Sequence, residues 1–170
     1  MAESLSVHLP DAAATAELGA RVARALVTAA PDSLVLNFEG ELGAGKTAMI
    51  RGLLAGLGHQ GRVPSPTYTL VEPYLVATYR VYHVDLYRLR DPAELDHLGL
   101  VDELGSRDEL GRGSLLLTEW PDRGGGRLPP PDLVCHLVID GAGRRADLTA
   151  QSGEGMRLLA KVAEGLPAGF

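Results

Sequence analysis

A chain of 170 residues, 45% of them hydrophobic, is long enough to bury one good core, and its length favours a single domain over residues 1–170. The net charge of −6 and pI near 5.3 argue against strong independent binding to nucleic acid, which needs a surplus of Lys and Arg facing phosphate. Met1 to Pro10 lacks the basic and apolar regions of a leader, and no stretch reaches the 18 or so apolar residues of a spanning helix, so a soluble, cytoplasmic chain with no membrane partner is expected.

Leu5, Val7 and Leu9 alternate with polar neighbours over Ser4 to Leu9, the period of a half-buried strand at a sheet edge. Asp11 is placed to cap a helix in which Leu18, Val22, Ala25, Leu26 and Ala29 recur at helical spacing, up to the break at Pro31-Asp32. Ser33 to Glu39 holds Leu34, Val35, Leu36 and Phe38, a short apolar run suited to a strand covered on both faces. It leads into Gly40-Glu41-Leu42-Gly43-Ala44-Gly45-Lys46-Thr47, after which Ile50, Leu53, Leu54 and Leu57 define a helix closed by Gly58.

From Thr67 to Leu89, Thr, Tyr and Val predict two strands joined near Ala77-Thr78, an antiparallel excursion whose first member Pro73 confines to an edge. Asp91-Pro92 opens a short helix over Ala93 to Leu98, and Gly105 to Gly113 reads as loop. Leu115 to Leu117 form a second buried strand ending at Thr118-Glu119-Trp120, with a break at Pro121 and Gly124 to Gly126. Leu133 to Asp140 and Arg145 to Gln151 flank Gly141-Ala142-Gly143-Arg144 as a hairpin, and Met156 to Val162 reads as a closing helix. Cys135, the single cysteine, lies among Val134, Leu137 and Val138 and reads as a small buried hydrophobe. The expected architecture is a three-layer α/β/α sandwich with parallel core strands and antiparallel strands added at the edges.

The chemistry concentrates in the glycine-rich loop. A strand delivers the chain, the glycines allow backbone amides to turn inward, and a helix begins behind them with its amino end toward a phosphate. In that geometry the backbone from Glu41, Leu42, Gly43, Ala44 and Gly45 cradles phosphates, Lys46 supplies a charge to the β- and γ-phosphates, and Thr47 can ligate Mg²⁺. Of sixteen basic residues only Lys46 and Lys161 are lysines, and one of them occupies this position. Glu119, at the end of an apolar strand, is a candidate to meet Mg²⁺ or orient water. Asp85, among the apolar residues of Val81 to Leu89, either serves the metal side or pairs with Arg88 or Arg80. Ser65-Pro66-Thr67 is either a γ-phosphate-sensing segment or a plain proline turn, and His83 reads as a residue packed in the sheet. The five histidines have no paired zinc spacing. Asp102-Glu103-Leu104-Gly105 imitates a GTPase element, but no N-K-x-D follows, which favours adenine and hence ATP as the nucleotide.

Together the phosphate loop, Ser65-Pro66-Thr67-Tyr68-Thr69-Leu70-Val71-Glu72-Pro73-Tyr74, His83-Val84-Asp85-Leu86-Tyr87-Arg88-Leu89 and Glu119-Trp120-Pro121, in this order, resemble the TsaE (YjeE) family over nearly the whole chain. The resemblance implies an ATP hydrolase that works with TsaB and TsaD in the threonylcarbamoyl modification of adenosine 37 of tRNA, the tRNA being held through the complex. It further implies that Thr47 and Glu119 hold Mg²⁺, that Asp85 is a functionally important acid, that Thr67 lies in a switch-like segment, and that Trp120 either reports on the site or fixes it. Adenine is implied near Asp11, Ala12 and Arg144. The chain departs from the family at Ala48, where a second hydroxyl is common, and over Gly105 to Gly113, which looks longer than usual. The rival reading is a P-loop small-molecule kinase, with Gly105 to Arg112 as an arginine-bearing lid.

Overall fold

The edge strand, the buried strand and the hairpin expected from the residue pattern become neighbours in one sheet. The computed structural model describes residues 3–66 and 68–167. Seven strands, β1 (Ser4–Leu9), β2 (Ser33–Glu39), β3 (Val71–Leu75), β4 (Tyr79–Asp85), β5 (Gly113–Glu119), β6 (Leu133–Asp140) and β7 (Gly143–Ala150), lie in the order β1-β7-β6-β2-β5-β4-β3. The pairs β4–β5, β5–β2 and β2–β6 are parallel, and β3–β4, β6–β7 and β7–β1 are antiparallel. A parallel core is thus flanked by antiparallel strands on both sides. Strand β4 is not confined to the antiparallel excursion expected for it: it pairs with β3 on one side and joins the parallel core through β5 on the other.

Among the described residues three α-helices, α1 (Ala12–Ala29), α2 (Lys46–Gly56) and α3 (Gly153–Ala163), pack into a single cluster with Leu34, Leu36, Phe38, Leu115 and Leu117. Alternation sends Val35, Val84 and Leu116 to the opposite face, where they meet Leu86, Leu95 and Leu100. That second face is covered by a 3-10 helix at Pro92–His97, another at Pro121–Gly124, and loops, where the three-layer expectation called for α-helices. The charged sequence there, broken by Gly and Pro, has no long apolar stripe to pack a helix. Asp11 caps α1 by accepting from the Ala14 amide at 2.8 Å, a contact of about 1 kcal/mol. Pro73 sits on edge strand β3, where its missing N–H costs no ladder bond. The closing helix begins at Gly153, a turn earlier than Met156, because Ser152 caps it on the Gly155 amide at 3.0 Å. The hairpin turn is only Gly141-Ala142, so Arg144 belongs to β7.

Helices α1 and α2 cross at glycines. A β-carbon on Gly52 would lie 2.2 Å from the Ala16 carbonyl oxygen, and one on Gly19 would lie 2.2 Å from that of Met49. Backbone cannot yield cheaply, so Gly52→Ala is expected to cost about 3 kcal/mol or more. Thermal unfolding of the variant checks this: a lowered midpoint is expected, whereas Ala at the open-space position Gly58, helix-incompatible only in its φ of 99°, tests strain without overpacking.

Cys135 is packed beside Met49, its Sγ 3.5 Å from the Met49 Sδ. Burial pushes its thiol up to about 12, so it stays protonated and unreactive at neutral pH.

Candidate functional site

The carboxyl ends of β2, β4 and β5 converge where the glycine-rich loop turns into α2. Gly45, at φ 106°, is the N-cap of α2, a left-handed conformation that a side chain would strain, and no side chain caps the helix there. The amino end of α2 therefore keeps donors available to an anion. Lys46 is only 5% exposed; its Nζ donates to the carbonyl oxygens of Gly40 and, at 3.0 Å, Glu41, and lies 4.0 Å from the centroid of the Trp120 ring. Desolvation lowers the Lys46 pKa, opposed by attraction to Glu119, Asp85 and Glu41.

The next residue, Thr47, donates its hydroxyl to the Glu119 carboxylate, with oxygen separations of 2.9 and 3.0 Å across 72 residues of sequence. Glu119 is 2% exposed and also bonds the His83 Nε2 at 2.6 Å. Parallel register sets Asp85 beside Glu119 on adjacent strands. Asp85 accepts from the Tyr87 amide at 2.9 Å and from the Ser65 hydroxyl at 3.3 Å. The two arginines considered as its partners are engaged elsewhere: Arg80 lies near Glu103 and Asp108, and Arg88 stacks over the Tyr68 ring at 4.7 Å. Thr67 lies outside the described residues.

These groups line a cavity of about 230 Å³ bounded by residues 42–48 of the loop, Ser65, Asp85, Tyr87, Glu119 and Trp120. A second cleft, of about 370 Å³, opens on the other side of the loop and brings Asp11, Ala12 and Arg144 together with Gly43, Gly45 and Ala48. Arg144 donates to the carbonyl oxygens of Ala44 at 3.2 Å and Gly43 at 3.1 Å, tying β7 to the loop. Glu41 lines neither cleft: it contributes a carbonyl to Lys46 and edges a separate hollow with Glu39, Asp122 and His136. The segment Gly105 to Arg112 lies at the opposite end of the sheet, where Arg107 bonds Asp32, just before β2, and the Ala30 carbonyl. A seven-residue strand of about 20 Å separates it from the phosphate loop.

Sequence reasoning missed two parts of this arrangement. His83 was legible only as a packed residue, although its place two before Asp85 puts both on one face of β4. Tyr87 and Arg123 also belong here: the Tyr87 and Trp120 rings lie 5.0 Å apart, and the Arg123 guanidinium sits over both. Trp120 reaches this position through a left-handed backbone, φ 57°, that turns the chain sharply after β5.

A mixed seven-stranded α/β protein with a glycine-rich loop and a helix amino end at the carboxyl ends of its parallel strands is the class that these features define. The chain belongs to the TsaE family, whose proteins take part in biosynthesis of threonylcarbamoyladenosine in tRNA: the family model "Threonylcarbamoyl adenosine biosynthesis protein TsaE" matches residues 9–146. It is similar to the tRNA threonylcarbamoyladenosine biosynthesis protein TsaE of Haemophilus influenzae, with 39% identity over 92% of this chain and 96% of that one. The protein of the same name from Synechocystis is 36% identical over 71% of this chain and 72% of its own length. The crystal structure of YdiB from Bacillus subtilis shares the fold, with a TM-score of 0.71, 23% identity and 95% coverage of both chains.

Proposed function

We propose that this chain is a Mg²⁺-dependent ATP hydrolase that acts with TsaB and TsaD in the threonylcarbamoylation of adenosine 37 of tRNA. The observation that carries the reading is the bond between Thr47 and Glu119 beside the uncapped amino end of α2 and the buried Lys46. A hydroxyl and a carboxylate, with a second carboxylate on the adjacent strand, are hard oxygen donors of the kind Mg²⁺ prefers, so the donor set fits the ion. Bound by Thr47 and Glu119 with Asp85 beside them, Mg²⁺ would supply neutralisation of the phosphate charge. The remaining work falls to the chain itself. Lys46 exchanges its loop carbonyls for phosphate oxygens, the loop amides hold the phosphate chain, and Asp85 accepts a hydrogen bond from the attacking water. Adenine fits the cleft between Asp11, Ala12 and Arg144, which shares Gly43, Gly45 and Ala48 with the phosphate cavity.

The acidic composition accords with tRNA being gripped by other subunits in the cytoplasm. No helix of the described residues is long and apolar enough to cross a membrane. Phosphate release from Mg·ATP by the full chain, alone and with TsaB and TsaD, tests the reading. Severalfold stimulation by the partners is expected; unchanged release would overturn the partner role and favour a small-molecule kinase, for which ATP consumption would instead rise with an added hydroxylated acceptor.

A further inference from the structure

The imidazole of His83, on β4, is fully buried, and the proposed reaction makes no use of it. Its Nε2 lies 2.6 Å from Oε2 of Glu119, and because an ionised carboxylate only accepts, Nε2 carries the hydrogen of this bond. Its Nδ1 is buried with no hydrogen-bond partner among the described residues. A histidine kept merely for packing would cost less as an apolar side chain, since an unpaired buried nitrogen is unfavourable. The retained polar ring therefore has its consequence at Glu119. The terminal torsion of a glutamate is broad and roughly two-fold, so packing alone leaves the carboxylate plane free to turn. Thr47 offers a single hydrogen to the two oxygens and cannot hold both. A second donor, reaching Oε2 from β4, removes that freedom.

We propose that His83 is a positioning residue that, through its Nε2–H, fixes the carboxylate plane of Glu119 so that the oxygens face Thr47 and the phosphate cavity. The inference rests on the reading of Glu119 as a metal-side carboxylate. It assigns His83 no contact with nucleotide or metal: the ring acts through Glu119 alone, as partners of metal-ligating side chains commonly do.

The test compares His83→Gln, whose amide nitrogen reaches as far as the imidazole Nε2, with His83→Asn, whose amide stops at the level of Nδ1, and with the apolar His83→Leu. Mn²⁺ binding to the full chain in the presence of a non-hydrolysable ATP analogue is followed by loss of the free-ion spin-resonance signal. Phosphate release and analogue affinity in chelator are measured alongside. His83→Asn and His83→Leu are expected to weaken Mn²⁺ binding and slow release about tenfold or more, with His83→Gln near the parent and analogue affinity in chelator unchanged. Parent-like Mn²⁺ affinity in His83→Asn or His83→Leu overturns the proposal, as does a His83→Gln as impaired as His83→Asn. The Asn and Gln pair decides the matter if His83→Leu fails to fold. Glu119→Gln in the same assay separates the two readings: if it leaves Mn²⁺ affinity intact, the metal role of Glu119 fails and the proposal falls with it, whereas its loss together with parent-like His83 variants overturns only the role of His83.

Discussion

Lys46→Met is expected to lower phosphate release from Mg·ATP by about a hundredfold or more, the loss seen when one preorganised charge or donor is taken from a transition state. Methionine keeps most of the apolar stem, so the substitution tests charge and not packing. Lys46 is held almost out of water, between two loop carbonyls and the face of Trp120, and near Glu119 and Asp85. Desolvation makes its charge expensive in the free chain, and phosphate oxygens would compensate that cost better than neutral carbonyls do. Affinity for ATP should therefore fall together with turnover. The variant should remain folded by circular dichroism, and release within threefold of the parent would remove Lys46 from the reaction.

Glu119→Gln should slow release by a similar factor and raise the Mg²⁺ concentration needed for half-maximal rate. Glutamine preserves volume and can still accept from Thr47, but it takes away the charge that would hold a divalent ion. Glu119→Ala is the poorer experiment. It would leave the Thr47 hydroxyl and the His83 Nε2–H without their acceptor in a buried site, at about 1–3 kcal/mol for each unsatisfied group. Lost activity there would mix chemistry with instability. A Mg²⁺ titration of Glu119→Gln with an unchanged midpoint would argue that the carboxylate is structural.

These two residues were legible for a physical reason. A phosphate loop is a local object: strand, glycines, Lys and Thr follow one another within a dozen residues, and each imposes its requirement on the backbone beside it. The cap at Asp11 and the edge position implied by Pro73 are local in the same sense. Glu119 could be singled out because a carboxylate ending an apolar run needs an explanation wherever the strand lies.

Neighbourhoods across the sheet belong to another order of information. Whether Asp85 faced an arginine or the loop cavity depended on β4 pairing in parallel with β5, a register that sets Asp85 against Glu119 and His83 on the same face. Arg144 meets the loop only because the β6–β7 hairpin returns beside it, and Arg107 is excluded from the site only because it is pinned at the far end of β2. The second face was misjudged for a related reason: apolar period predicts a helix where there is one, but short turns that cover a sheet leave no period to read. Sequence by itself determined the loop, the amphipathic helices and the apolar strands, because those follow from interactions between near neighbours. Tertiary structure alone decided which carboxylates line the cavity, which imidazole stands against Glu119 and which guanidinium meets the loop, because register and strand order are set by packing between residues far apart in the chain.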